Sequence, residues 1–184
     1  RTSAFWIISL AGASISMLGT GLHFHMVSVF ADAGLSAAAA AAAFVPLFAT
    51  GAIVRLIAGV LVDRVPVRFL LSGALVFQTI SLVMAPRLQG TTMAFVYGIV
   101  LGVSGSLHGT VSAVVWAKYF GRRHLGSITG TAFLVGIAGS ALGPMPMGIA
   151  RDVLGSYTMA LTIFAALPLV LAVVVLFVRR PAKE

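Results

Sequence analysis

GAIVRLIAGVLVDR, residues Gly51–Arg64, holds a single arginine among alanine, glycine, valine, isoleucine and leucine until Asp63 and Arg64 close it. Read backwards, the apolar run extends to Ala37, long enough to cross a hydrocarbon core of about 30 Å as a helix. Such runs recur along the chain, and six spans are expected near residues 4–30, 37–62, 69–85, 92–117, 127–150 and 157–178. Composition agrees: 60% of the 184 residues are hydrophobic and 9% charged, with a mean hydropathy of +1.10. Soluble domains carry about 25% charged residues, so this is an integral membrane protein. The runs lack the period-2 alternation that a membrane β-barrel needs, which leaves an all-α bundle. The first run is too long for a signal peptide and five more follow it, so it reads as a mature span. With no cysteine present, the redox compartment stays open.

The formal charge of +8 would suggest nucleic acid in a soluble protein; here the distribution of charge carries the information. With the amino terminus inside, the inner segments hold Arg1, Arg64, Arg68, Lys118, Arg122, Arg123, Arg179, Arg180 and Lys183, and the outer loops hold Arg87 and Arg151. That asymmetry follows the positive-inside rule and predicts both termini on the cytoplasmic side of a cell membrane. Lys118, Arg122 and Arg123 read as topology determinants and headgroup contacts rather than as a site.

Turns are short, and no linker separates domains. The alanine run 37–43 reads as a face that admits a neighbouring backbone, as do Gly98, Gly102, Gly105 and Gly109 in the fourth span and Gly12, Ser16 and Gly19 in the first. In the fifth span Gly143, Pro144 and Pro146 should bend or break the helix, because proline removes a backbone donor. Gly59-x-x-x-Asp63-x-x-Pro66 closes the second span, and Gly148-x-x-x-Asp152-x-x-Gly155 closes the fifth. Both are the middle helices of a triplet, the pattern of a 3+3 inverted repeat common in transporters.

Arg55 is the remaining basic residue. It lies eight residues before Asp63, which is about 12 Å of helix, so it sits near the midplane. An arginine there costs at least about 2.5–3.5 kcal/mol on insertion scales and should face the bundle interior with an anionic partner. Asp32, Asp63, Asp152 and Glu184 all lie at span ends or in loops, so a substrate anion is the natural partner. Phe44, Phe48, Gly51 and Gly59 share its helix face, giving an aromatic wall and room for a small ligand. The competing readings are snorkelling toward the inner surface or pairing with an acid elsewhere in the protein.

GVLVDRVPVR (Gly59–Arg68) resembles the loop signature of the major facilitator superfamily, G-x-x-x-D-R-x-G-x-R, with Pro66 at the glycine position. FWIISL, DAGLS, YFGRRHLGSITG and GPMPMGIARDVLGSY resemble parts of the seventh to twelfth helices of that superfamily, so the similarity covers nearly the whole chain. The resemblance implies the carboxyl-terminal half of a twelve-helix secondary transporter, working by alternating access against an amino-terminal six-helix half. It implies no enzyme activity, cofactor, metal or nucleic-acid partner. Arg55-x-x-x-Gly59-x-x-x-Asp63 is similar to the eighth helix of the monocarboxylate transporter and oxalate:formate antiporter group, in which such an arginine binds substrate carboxylate. The implied substrate is a small organic anion, with a coupled proton or an exchanged anion. Gly51 stands where proton-coupled carriers place an aspartate, and no lysine occurs between Ser127 and Ala150, where the antiporters have one.

Asp63, Arg64 and Arg68, with Gly59 before them, are expected to form an ion-pair latch at the inner face. His23 and His108 lie within spans, placed either to relay protons and bind substrate or to bond a neighbouring carbonyl or hydroxyl. Two rival functions exist. Gly102–Gly105 reads G-x-S-G, as in rhomboid-like intramembrane serine proteases, but the last two spans offer no histidine to serve as base. The bundle could also be a non-transporting accessory subunit.

Overall fold

The computed structural model describes residues 3–179. Arg1, Arg180 and Lys183, counted above among the inner cations, and Glu184 lie outside them. Among the described residues six helices are long and apolar enough to cross a membrane: Ser3–Phe24, Ala37–Arg64, Val67–Arg87, Gly90–Phe120, Leu125–Leu154 and Tyr157–Leu176, called spans 1 to 6. No strand occurs among the described residues.

Local chemistry sets the boundaries. Span 1 continues through a turn at His25 into Met26–Asp32, because the N–H of His25 still bonds Gly21 O at 3.0 Å and that of Val29 bonds His25 O at 2.8 Å. Gly34, at φ 75°, ends that extension in a conformation other residues rarely adopt. The Ser36 hydroxyl then caps the start of span 2 by accepting from the Ala39 N–H at 3.2 Å. Span 4 runs 31 residues to Gly121, about 46 Å of helix, so it must tilt or emerge from the bilayer. Span 5 is interrupted where one helix ends at Leu142 and the next begins at Pro144. Gly143–Pro144 makes this break. Pro146 falls in the first turn of the second segment, where a missing N–H costs little, so it adds no bend of its own.

Two buried clusters fill the bundle. Near Asp32 the first gathers Leu22, Phe30, Leu82, Tyr97 and Leu161; near Asp63 the second gathers Ile8, Leu71, Leu75, Val115 and Val175. Between them, the single Ser104 hydroxyl proton is shared between Ala74 O at 2.9 Å and Gln78 Oε1 at 3.1 Å. Span 2 packs chiefly on span 4, and span 5 chiefly on span 1, while spans 3 and 6 close the opposite side. Spans 2 and 5 are accordingly the least covered, 17% and 6% buried against 50% for spans 1 and 3.

Glycine makes the two flanking contacts possible. A Cβ on Gly98 or Gly102 would overlap the carbonyl oxygens of Ala43 and Leu47, and one on Gly143 would overlap that of Met17. On Gly139 it would stand 2.6 Å from Ala13 O. The glycine stripe of span 4 is therefore only half a packing surface. Gly105 faces open space, as do Gly19 and Gly59.

Candidate functional site

Arg55 projects from the flank of span 2. The close approach at Gly98 and Gly102 holds span 2 against span 4, and Arg55 Nη2 comes to 3.6 Å from where a Gly109 Cβ would stand. Arg55 has no hydrogen bond or ion pair among the described residues. Two turns earlier Phe48, 67% exposed, stacks on Phe44 with centroids 6.0 Å apart, and Phe44 lies 5.9 Å from the His23 ring. Arg55, Phe48 and His23 thus mark exposed flanks of spans 1 and 2. His23 Nδ1 donates to Gly19 O of its own helix at 2.6 Å, which leaves Nε2 as an acceptor.

His108 faces elsewhere. It lines a cavity of about 580 Å³ between spans 1, 4 and 5, together with Ser9, Ser16, Ser112, Thr129 and Ser140. Its ring fits against Gly12, where a Cβ would come to 3.1 Å, and its Nδ1 lies 3.4 Å from Ser112 Oγ. The Ser9 hydroxyl is buried without a partner among the described residues. The four expected binding residues are therefore split between two places, and Gly109 touches both: it lies beneath Arg55 and also lines the cavity.

At the Asp63 end, the ion pair differs from the expected one. Asp63 Oδ1 accepts from Lys118 Nζ at 2.9 Å, and the same ammonium donates to Val62 O at 2.5 Å. Neither Arg64 nor Arg68 pairs with an acid among the described residues. Arg64 follows Asp63 by one residue and so points about 100° away from it. Arg68 lies over the Phe69 ring, 5.1 Å from its centroid. The clasp therefore joins span 2 to span 4, and Lys118 is more than a topology determinant.

A second network at the Asp32 end was not foreseen. Arg151 Nη2 reaches Asp32 Oδ1 at 3.0 Å, Arg151 Nη1 donates to Gly155 O, and the guanidinium lies 5.7 Å from the Tyr157 ring centroid. Tyr157 Oη is 2.9 Å from His25 Nδ1, and His25 Nε2 is 3.0 Å from Pro144 O. Since a carbonyl only accepts, Nε2 carries the proton and Tyr157 donates to Nδ1. This chain links span 1, the break in span 5 and the start of span 6. Its one signal in the sequence is that His25 points away from His23.

The family model described as Major Facilitator Superfamily matches residues 4–184. The chain belongs to the Major Facilitator Superfamily. Among curated proteins none matches it. Superfamily membership places the chain among secondary transporters embedded in a membrane, and the family is one of transporters rather than enzymes. Ser104 is fully buried and its hydroxyl is committed to Ala74 and Gln78, with no histidine as partner, so the G-x-S-G string lacks the base a serine nucleophile needs.

Proposed function

We propose that this superfamily member is the carboxyl-terminal half of a transporter that carries a small organic anion, a monocarboxylate, by alternating access, with both termini on the cytoplasmic side of the plasma membrane. One observation carries the reading: Arg55 lies inside span 2, nine residues before its end, with no hydrogen bond or ion pair among the described residues. Counting from the Asp63–Lys118 pair, Arg55 is eight residues up span 2 and Gly109 nine residues up span 4, about 12 and 13.5 Å of helix. Its Nη2 comes to 3.6 Å from where a Gly109 Cβ would stand. A snorkelling side chain would instead reach toward Trp116 and Lys118. A planar fork held within the span suits bidentate capture of a carboxylate. Phe48 and His23 form the nearby wall, His108 the adjoining cavity, and an amino-terminal six-helix half closes the site. A coupled proton or a counter-transported anion completes the cycle.

The test is uptake of labelled small carboxylates into proteoliposomes containing the full polypeptide, for the native protein, Arg55→Ala and Arg55→Lys, at several pH values. Losing two charge-assisted hydrogen bonds should lower kcat/KM for uptake by roughly 100-fold or more in Arg55→Ala. Arg55→Lys should recover little, because an ammonium does not reproduce the fork. Uptake that survives Arg55→Ala, with the protein folded and inserted, would remove the basis of the assignment.

A further inference from the structure

A second pocket, of about 400 Å³, opens at the Asp63 end where spans 2, 3, 4 and 6 finish or begin. Four cations from different segments line it: Arg64, Arg68, Lys118 and Arg179. Against them stands one acid, Asp63, already paired with Lys118. Three guanidinium groups are left uncompensated, and none has a hydrogen bond or ion pair among the described residues.

Two features set the pocket apart from a plain row of positive-inside anchors. Arg68 Nε is buried with no hydrogen-bond partner among the described residues, a donor that is costly to leave unsatisfied. Span 3 begins here at Val67, after Pro66, its first turn has no side-chain cap, and Pro66 and Val67 themselves line the pocket. Clustered guanidinium groups, an orphaned buried donor and an uncapped helix start all call for a tetrahedral oxyanion. The location says what carries it. All four cations stand at span ends, the depth of the headgroups, and Phe69 beside Arg68 is 47% exposed, ready to meet an acyl chain.

We infer that this pocket binds the phosphate group of an anionic lipid, seated by Arg64, Arg68 and Arg179 and by the amino-terminal turn of span 3. The bound headgroup ties the loop between spans 2 and 3 to the end of span 6.

The experiment is lipid retention by the full polypeptide, read by native mass spectrometry after extraction from phosphatidylcholine vesicles containing phosphatidylglycerol. A parallel arm uses phosphatidylcholine vesicles with inorganic phosphate. Each cation near the surface strengthens such binding about fivefold, so Arg64→Gln with Arg68→Gln should weaken phosphatidylglycerol retention about thirtyfold, and Arg179→Gln alone about fivefold. Arg122→Gln with Arg123→Gln removes the same charge from an exposed loop outside the pocket; as diffuse headgroup contacts these two should together cost no more than about fivefold, well short of the pocket pair. Equal losses in the two double variants would reduce the effect to general electrostatics and overturn the site. So would retention unchanged in the pocket variants, the result expected if a protein acid already fills it. Retention of inorganic phosphate in place of the lipid, with the same dependence on Arg68, would overturn the lipid assignment.

Discussion

Gly102 and Gly105 lie less than one turn apart on span 4, yet alanine should act on them in opposite directions. A Cβ on Gly102 would overlap Leu47 O and stand 3.2 Å from both Leu47 C and Leu47 Cα. These are backbone atoms of span 2, which no rotamer change can move aside, so the two spans must separate. Overpacking of this kind costs about 1–3 kcal/mol, against a gain of about 0.5–1 kcal/mol from replacing a mid-helix glycine. Gly102→Ala should therefore lose about 1–2 kcal/mol net. Gly105 has nothing within 4 Å of its Cβ position and no positive φ, so Gly105→Ala should keep the helix gain of about 0.5–1 kcal/mol. The two variants should differ by about 2 kcal/mol, close to thirtyfold in the unfolding equilibrium constant. Unfolding in mixed micelles with rising dodecyl sulfate, followed by the fluorescence of Trp6 and Trp116, would measure it. Moving span 2 also moves Arg55 relative to Gly109, so uptake should fall in Gly102→Ala and persist in Gly105→Ala. Equal stability of the two variants would refute the close span 2–span 4 approach on which the site rests.

Two further outcomes test the ends of the bundle. Tyr157→Phe should cost about 1 kcal/mol, and a double-mutant cycle with His25→Ala should show coupling of about 0.5–3 kcal/mol; additive losses would mean that the hydroxyl and the ring act independently. Asp63→Asn and Lys118→Met should each change stability by less than about 1 kcal/mol, because the Asp63 side chain is 79% exposed. A larger stability loss in the same micelle titration would show that the pair is not a surface clasp.

The helices were legible in the sequence because spanning a membrane is a local property: each apolar run declares its own helix, and Gly143–Pro144 declares its own break. Arg55 was legible for the same reason, since a charge in an apolar run is costly wherever the neighbours lie. Partner choice was not legible. Asp63 meets Lys118, 55 residues away, because span 2 lies against span 4, and nothing near Asp63 in the sequence says so. His25 and Tyr157 are 132 residues apart. The glycine stripes show the same limit: spacing identifies a face of small residues, but only the neighbouring helix decides that Gly98 and Gly102 are occupied and Gly105 is not.

The inverted repeat has a physical counterpart in these contacts. In the middle of the bundle, Gly98 and Gly102 admit the backbone of span 2, and Gly139 and Gly143 admit that of span 1. At one end Lys118 of span 4 holds Asp63 of span 2; at the other Asp32, in the extension of span 1, holds Arg151 of span 5. The first helix of each triplet is thus clasped to the middle helix of the other, with the acid and base exchanged. Each clasped pair should move as one body. Motion in the proposed cycle then falls to the open faces of spans 2 and 5, where Arg55 and Phe48 lie, and to the break in span 5. That break is braced on both sides, by Gly143 against Met17 and by the hydrogen bond from His25 to Pro144 O. Bending span 5 there requires His25 to let go, which makes this histidine, rather than His23, the one whose loss should alter the rate of conformational exchange more than substrate affinity.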